Sequence, residues 1–454
     1  MKRSDSMDVR DQFITEHKNE FEEILKKLIT LKSISATGEG IDETVQFLCN
    51  LLTKLLGAKV EIIPTAGNPV ILANIAGKAS KNVLFYGHYD VMTPGDTIYW
   101  DSDPFELTKC DGRFYARGVG DNKGQLLAQI LGMYTYLQTH HEFPFNVTLF
   151  IEGEEEQGSI NLEPTVKKIA TTKLQQIDQV FVMDGAFNAD GTHVLRLGNR
   201  GVFAFELLTT TGSHDNHSGN LGNIMDNPFV QLLKYLGKIY DIKTGTVKLP
   251  HFYDGVEKPT EQEKTWIQQL PYDKESILQQ SGIKHLDFDK ETYYEKLMFE
   301  PTFNFFSVKS GYMEKGVKTI IPHQASLKVD CRLVGKQSIS AIKQDLEATF
   351  DKEIASGDLQ LNYLGNIPPE HTEVDLEEVE KIQQAIVKAT GKAYIEPVMP
   401  GGVPNYVWKD NLHVPVFTIP YANYDEHNHD FNENLTEKAF YDGIKISYEL
   451  LGLG

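Results

Sequence analysis

The stretch that decides the fold is "VLFYGHYDVMTPGD", residues 83–96. Four apolar residues run into a glycine, and His88 and Asp90 follow two apart. A continuous apolar run of this length is the pattern of a strand buried on both faces. Alternation along a strand sends residues i and i+2 to one face, so His88 and Asp90 can act together where the strand ends. The same kind of run recurs as "VEIIP", "VILANIA", "NVTLFIEGEEE" and "QVFVMDG", with helical spacing between, as over 123–138. That alternation predicts an α/β fold with a mainly parallel central sheet.

Working outward, helical spacing predicts helices over 7–31 and 43–56 before the strands and over 435–451 at the end. From Gly201 the pattern changes. "GVFAFELLTTTG" and "QASLKVDCRLVG" alternate like half-buried strands, and 225–240 and 337–350 read as helices, which together predict an α+β region. A polar, helix-leaning stretch at about 241–298 has no assignment from periodicity. Near 396 the chain returns to Gly- and Pro-rich loops and a buried strand, "VPVFTIPYA".

At 454 residues the chain exceeds the size of a single core, so two or three domains are expected. Against 44 basic residues stand 64 acidic ones, a formal charge of -20 that disfavours nucleic acid and anionic membrane surfaces as partners. Three scattered cysteines without a C-x-x-C pair point to a reducing, cytoplasmic setting. No long apolar segment predicts secretion or membrane insertion.

Three of the apolar runs end in acid, at Asp90, at Glu154 to Glu156 and at Asp184. Open α/β sheets bind ligands beyond the carboxyl ends of their strands. Adjacent carboxylates such as Glu155 and Glu156 repel and need a cation or protons to coexist, although a solvated acidic turn is the alternative for this tripeptide alone. Asp121 lies among glycines just before a helix, and "NYDEHNHDFNENL" brings His427 and His429 into a polar loop after the last strand. The inventory reads as metal ligands His88, Asp121, Glu156, Asp184 and His429, with Asp90 behind His88 and Glu155 left free. Imidazole with carboxylate suits Zn²⁺, Mn²⁺ or Co²⁺, and two histidines with a shared carboxylate suggest two metals bridged by Asp121.

The order and spacing of "GHYDV", "RGVGDNKG", "EGEEEQGS", "VMDG" and "HNHDFNE" resemble the co-catalytic zinc peptidases and amidohydrolases. That family includes carnosinase-like cytosolic dipeptidases, carboxypeptidase G, aminoacylase, acetylornithine deacetylase and succinyl-diaminopimelate desuccinylase. The resemblance runs from about residue 20 to the C-terminus and is strongest to the dipeptidases. It implies two divalent ions, zinc foremost, with His88 and Asp184 on one, Glu156 and His429 on the other, and Asp121 between them. It implies Glu155 as general base and a cis peptide at Asp121–Asn122. It also implies a catalytic domain over 1–200 and 396–454, interrupted at 201–395 by a lid that forms a homodimer. His217, in "DNHSGNLGNIMDNP", would reach the partner's site, and Thr319 and Arg332 would bind substrate. Where those dipeptidases carry Gly-Gly-Ser, this chain reads "PGGVPNY", which keeps Gly402 and puts Val403 at the serine position. The implied reaction is hydrolysis of dipeptides or short peptides, and the alternative is removal of an acyl group from N-acyl amino acids.

Overall fold

In a computed structural model, residues 8–372 and 375–453 are described. Residue 7, where the first expected helix begins, lies outside them. Eight strands form the main sheet in the order Lys59–Ile63, Val70–Ile75, Phe143–Glu152, Gly77–His88, Gln179–Val182, Val416–Thr418, His193–Arg196, Ala393–Glu396. The four central strands, from Phe143–Glu152 to Val416–Thr418, are parallel. The fold is therefore α/β around a mainly parallel sheet.

The apolar run of the opening stretch is continuous because both of its faces are covered. Val83 and Phe85 point into the core built with helices Lys18–Thr30, Ile41–Leu56, Lys123–His140 and Glu437–Leu451. Leu84 and Tyr86 point the other way, against Leu162, Val166 and Trp408 of helices Leu162–Ile169 and Tyr406–Leu412. Helix Lys123–His140 is buried almost all round. It crosses helix Glu437–Leu451 closely enough that a Cβ on Gly132 would lie 2.5 Å from the Ile444 carbonyl oxygen.

A second, four-stranded antiparallel sheet runs Asn304–Ser310, Gln324–Leu333, Gly201–Thr210, Leu359–Ile367. Its alternation matches the sequence expectation. Phe203, Phe205 and Leu207 pack under helices Pro228–Ile239 and Ile339–Thr349, while Val202, Glu206, Lys328 and Arg332 stand on the face these helices leave uncovered.

At three places the structure adds to the sequence expectations. The helix expected over 7–31 is two helices, Val9–Glu16 and Lys18–Thr30, because His17 leaves helical geometry at φ -103°, ψ 8°. The polar stretch forms helices Glu261–Gln269, Lys274–Ser281 and Lys290–Phe299, whose Trp266, Ile267, Met298 and Phe299 join the larger core. Helix Leu376–Thr390 and strand Ala393–Glu396, expected in the inserted region, also belong to the larger body. The strand pairs in parallel with His193–Arg196, and Val379, Ile382 and Ile386 sit in the main core. We propose that the inserted body ends near Ile367 rather than at 395, and that only part of 201–367 follows its separate core.

Candidate metal centre

Because strands Gly77–His88, Phe143–Glu152 and Gln179–Val182 are parallel neighbours, the acids that follow them emerge at one edge of the sheet. His88 is fully buried there. Its Nδ1 lies 3.1 Å from the Asp90 carbonyl oxygen and 3.2 Å from Asp90 Oδ1, two acceptors that hold the proton on Nδ1. The lone pair of Nε2 then faces Asp121 Oδ1 at 3.0 Å. Two electron-rich atoms at that distance need a second proton or a cation between them.

Asp90 does more than orient His88. Its carboxylate also accepts the backbone N–H groups of Glu155 and Glu156, at 3.3 and 3.1 Å, so one buried acid fixes the histidine and the Glu-Glu turn together. The sequence singled out Asn122 only for its peptide bond, not for its side chain. Its side chain donates to Asp184 Oδ1 at 3.1 Å and to the Met183 carbonyl oxygen at 2.8 Å. The peptide between Asp121 and Asn122 is cis, as the resemblance implies.

Two triads result. In one, ligand atoms of His88, Glu155 and Asp184 all lie within 4.8 Å of one another, and in the other those of Asp121, Glu156 and His429 do. Asp121 links them, with Oδ1 toward His88 and Oδ2 3.3 Å from His429 Nε2. His429 Nε2 is also 2.9 Å from Glu156 Oε2, yet that oxygen is buried without an aligned hydrogen bond. Glu155 Oε2 stands 3.9 Å from His88 Nε2, and its carboxylate, 23 % exposed, accepts no hydrogen bond among the described residues.

The electrostatics favour cations. Burial, with neighbouring Asp184, Asp121 and Glu156, pushes the Glu155 carboxyl well above its usual range. Burial likewise raises Glu156 to about 7 and Asp184 to about 6, each with Asp121 adding to the shift. Burial opposes charge on His88, but its hydrogen bonds to Asp121 and Asp90 carry it well above the ordinary imidazole value. These acids cannot all remain ionised beside one another unless positive charge shares the site. The mixed oxygen and imidazole donors, the orphaned Glu156 oxygen and the facing His88 and Asp121 atoms all fit divalent ions.

The loop carrying Asp121 is held from the far end of the chain. Glu433, fully buried, accepts the N–H groups of Gly118, Gly120 and Asp121 at 2.9 Å each and pairs with Arg117 Nη1 at 2.7 Å. Removing one partner of a buried pair leaves an uncompensated charge. Arg117→Met is expected to destabilise the protein by about 3 kcal/mol, seen as a lower urea midpoint. An unchanged midpoint would show that the three N–H groups alone hold Glu433.

The other expected site residues fall in two further groups. Arg332 stands on the uncovered sheet face opposite Val202, and its Nη1 lies 3.9 Å from where a Cβ on Gly402 would be. Beside it is Arg200, which the sequence reading passed over. Its Nε donates to the Pro400 carbonyl oxygen at 2.9 Å, and burial together with Arg332 lowers its pKa to about 10. Neither guanidinium is in an ion pair among the described residues. Val403 is half-buried in the same loop. His217 and Thr319 meet elsewhere, on the short ladder that pairs His217 with Ile320. The His217 ring accepts the Gly219 N–H at 3.0 Å and lies 3.4 Å from the Thr319 hydroxyl, and no contact of His217 among the described residues reaches the two triads.

Residues 84–452 match the model of peptidase family M20/M25/M40. The chain belongs to that family. As an M20-type metallopeptidase it is a hydrolase, and its relatives bear this out across nearly the whole length. It is 28 % identical over 460 residues to the Beta-Ala-His dipeptidase of Rattus norvegicus, covering 96 % of this chain and 93 % of the relative. The Cys-Gly metallodipeptidase DUG1 of Saccharomyces cerevisiae is 28 % identical over 388 residues, covering 83 % and 80 %. Among solved structures, the M20 family metallo-carboxypeptidase Sso-CP2 from Sulfolobus solfataricus is 33 % identical with a TM-score of 0.86, covering 96 % and 99 %.

Proposed function

We propose that this M20 peptidase hydrolyses the amide bond of dipeptides and short peptides with free termini, at a centre of two divalent ions. The observation that carries this reading is Asp121, whose two carboxylate oxygens each face a different histidine. His88 and Asp184 would hold one ion and Glu156 and His429 the other, with Asp121 shared between them. Zinc suits the donors best, and manganese or cobalt would also be accepted. Bound there, the pair would lower the pKa of water from 15.7 toward about 7 and polarise the scissile carbonyl.

The chain's own residues do the proton work. Asp121, Glu156 and Asp184 are each engaged by a neighbour, whereas the partly exposed Glu155 carboxylate accepts no hydrogen bond among the described residues. Glu155 therefore takes the proton from the attacking water and returns it to the leaving amine. Asp90 keeps His88 and the Glu155 turn in register while it does so. At the carboxyl end of the substrate, the unpaired Arg332 fork suits a terminal carboxylate, with the Gly402 backbone close by and Val403 shaping the side-chain preference.

His217 and Thr319 are assigned to the site of a second copy. The same region exposes apolar surface at Val230 and Leu233 of helix Pro228–Ile239 and at Phe306 and Val308 of the edge strand Asn304–Ser310, which supports a homodimer. There His217 would donate to the developing oxyanion. Among the described residues no helix is long and apolar enough to cross a membrane, and all three cysteines are free, which supports a reducing cytoplasm.

The names of the relatives, two dipeptidases and a carboxypeptidase, support peptides with a free carboxylate over other amides. A panel of free dipeptides and N-acetyl or N-succinyl amino acids in Zn²⁺, Mn²⁺ and Co²⁺ tests this. The dipeptides are expected to be cleaved with the higher kcat/KM. A tenfold preference for the N-acyl compounds, about 1.4 kcal/mol in transition-state binding, would replace the reading with that of a deacylase.

A further inference from the structure

We propose that Glu426 binds the α-ammonium of the substrate and is thereby a specificity-determining residue for peptides with a free amino end. The proposal rests on the peptidase reading above. A cavity of about 750 Å³ is lined by residues next in sequence to two of the candidate ligands and by the helices Lys274–Ser281 and Lys290–Phe299. Gly185, which follows Asp184, and Asn428, which precedes His429 and whose amide lies 3.5 Å from Asp121 Oδ2, line it on the side of the metal centre. Ser276, Tyr293 and Tyr294 belong to its outer wall. The cavity is large enough for a peptide's amino-terminal residue and its side chain.

The charged groups around it are already satisfied, with one exception. Arg196 pairs with Glu396 at 2.7 Å. Asp190 accepts the Thr192 N–H and the Tyr394 hydroxyl. Asp273 caps its helix through the N–H groups of Glu275 and Ser276. The Glu426 side chain makes no hydrogen bond or ion pair among the described residues, although the residue is only 3 % exposed, and its Oε2 is sealed from solvent without a partner. It also comes very near the centre. A Cβ on Gly120, the residue before Asp121, would lie 2.4 Å from Glu426 Oε2, so glycine there is what admits the carboxyl group.

A buried carboxyl group without a partner is costly, and a bound cation removes that cost. A free α-ammonium supplies three donors and sits two bonds from the carbonyl carbon under attack. An ammonium site must therefore border the metal centre, as Glu426 does. Among the described residues the cavity offers no free Lys or Arg to compete, since the one guanidinium that lines it is engaged by Glu396. An acylated amine has no charge for Glu426 to meet, so the same residue discriminates against N-acyl substrates.

The test compares wild type with Glu426→Gln, each reconstituted with Zn²⁺ and checked for metal content, on a free dipeptide and on its des-amino analogue with hydrogen in place of the ammonium. The variant is expected to keep its metal and to raise KM for the dipeptide about tenfold or more, with kcat changed far less. The ratio of dipeptide to des-amino kcat/KM should fall by the same factor. Equal losses on both substrates, or loss of metal, would overturn the proposal in favour of a supporting role for the metal centre. If Glu426→Gln does not fold, Glu426→Asp keeps the charge on a shorter arm and is expected to give an intermediate ratio. An unchanged ratio there would also count against the proposal. Should wild type cleave only N-acyl compounds, the peptidase reading fails separately. Calorimetry on wild type then decides, because equal affinity for dipeptide and des-amino analogue excludes an ammonium site.

Discussion

Glu155→Gln is expected to lose turnover by about a hundredfold to ten-thousandfold while keeping its full complement of metal. The amide is nearly isosteric with the carboxylate, so the space beside His88 stays filled, but it cannot take a proton from water. The backbone N–H of residue 155 still reaches Asp90, and the turn that presents Glu156 is kept. KM for a dipeptide should change little, since the loss falls on an interaction needed only as the reaction proceeds. Metal analysis beside the rate measurement separates the roles. Loss of one ion from the variant would make Glu155 a ligand, in keeping with its place in the triad with His88 and Asp184, and an unchanged rate would remove it from catalysis.

Asp121→Ala is expected to cost more. This carboxylate faces a histidine of each half of the centre, with one oxygen toward His88 and the other toward His429. Under the proposed function its removal would take a donor from both ions at once, and it leaves His88 Nε2 and His429 Nε2 without the carboxylate they face. Metal affinity should fall at both positions. Because a Lewis acid contributes several kcal/mol to the transition state, activity should drop by about a thousandfold or more. Glu156→Gln, by contrast, should weaken only the ion on the His429 side. If Asp121→Ala retained one ion at wild-type affinity, the two triads would be independent sites and Asp121 no bridge.

Much of this cluster was legible in the sequence because its candidate ligands are tied to local grammar. His88, Asp184 and the Glu-Glu turn follow apolar runs that can only be buried strands, and parallel pairing brings the ends of such strands to one edge. Asp121 and His429 were legible as polar residues in glycine-rich or histidine-rich loops flanking a helix and a strand. The supporting residues were not. Glu433 acts on Asp121 from 312 positions away, and no spacing rule spans that distance. Arg200 reads as a charge at the start of a strand until the fold brings Pro400 and Arg332 beside it. Glu426 lies in the quoted histidine-rich loop, but a carboxylate without a partner can be recognised only once every neighbour is known. The polar stretch before residue 300, helix-leaning in the sequence, kept its place in the fold hidden for a different reason. Two of them present only a few apolar residues to the main core, Trp266 and Ile267 from one and Met298 and Phe299 from another, and Lys274–Ser281 presents none, too few to set a helical period.

The most direct test of the central claim is a metal titration of the chelated protein, with bound Zn²⁺ and hydrolysis of a free dipeptide measured on the same samples. Peptidase activity is predicted to be absent from the metal-free protein and to reach its plateau only as bound metal approaches two ions per chain. Activity that persists without metal, or a plateau of both signals at a single ion, would contradict a paired centre bridged by Asp121.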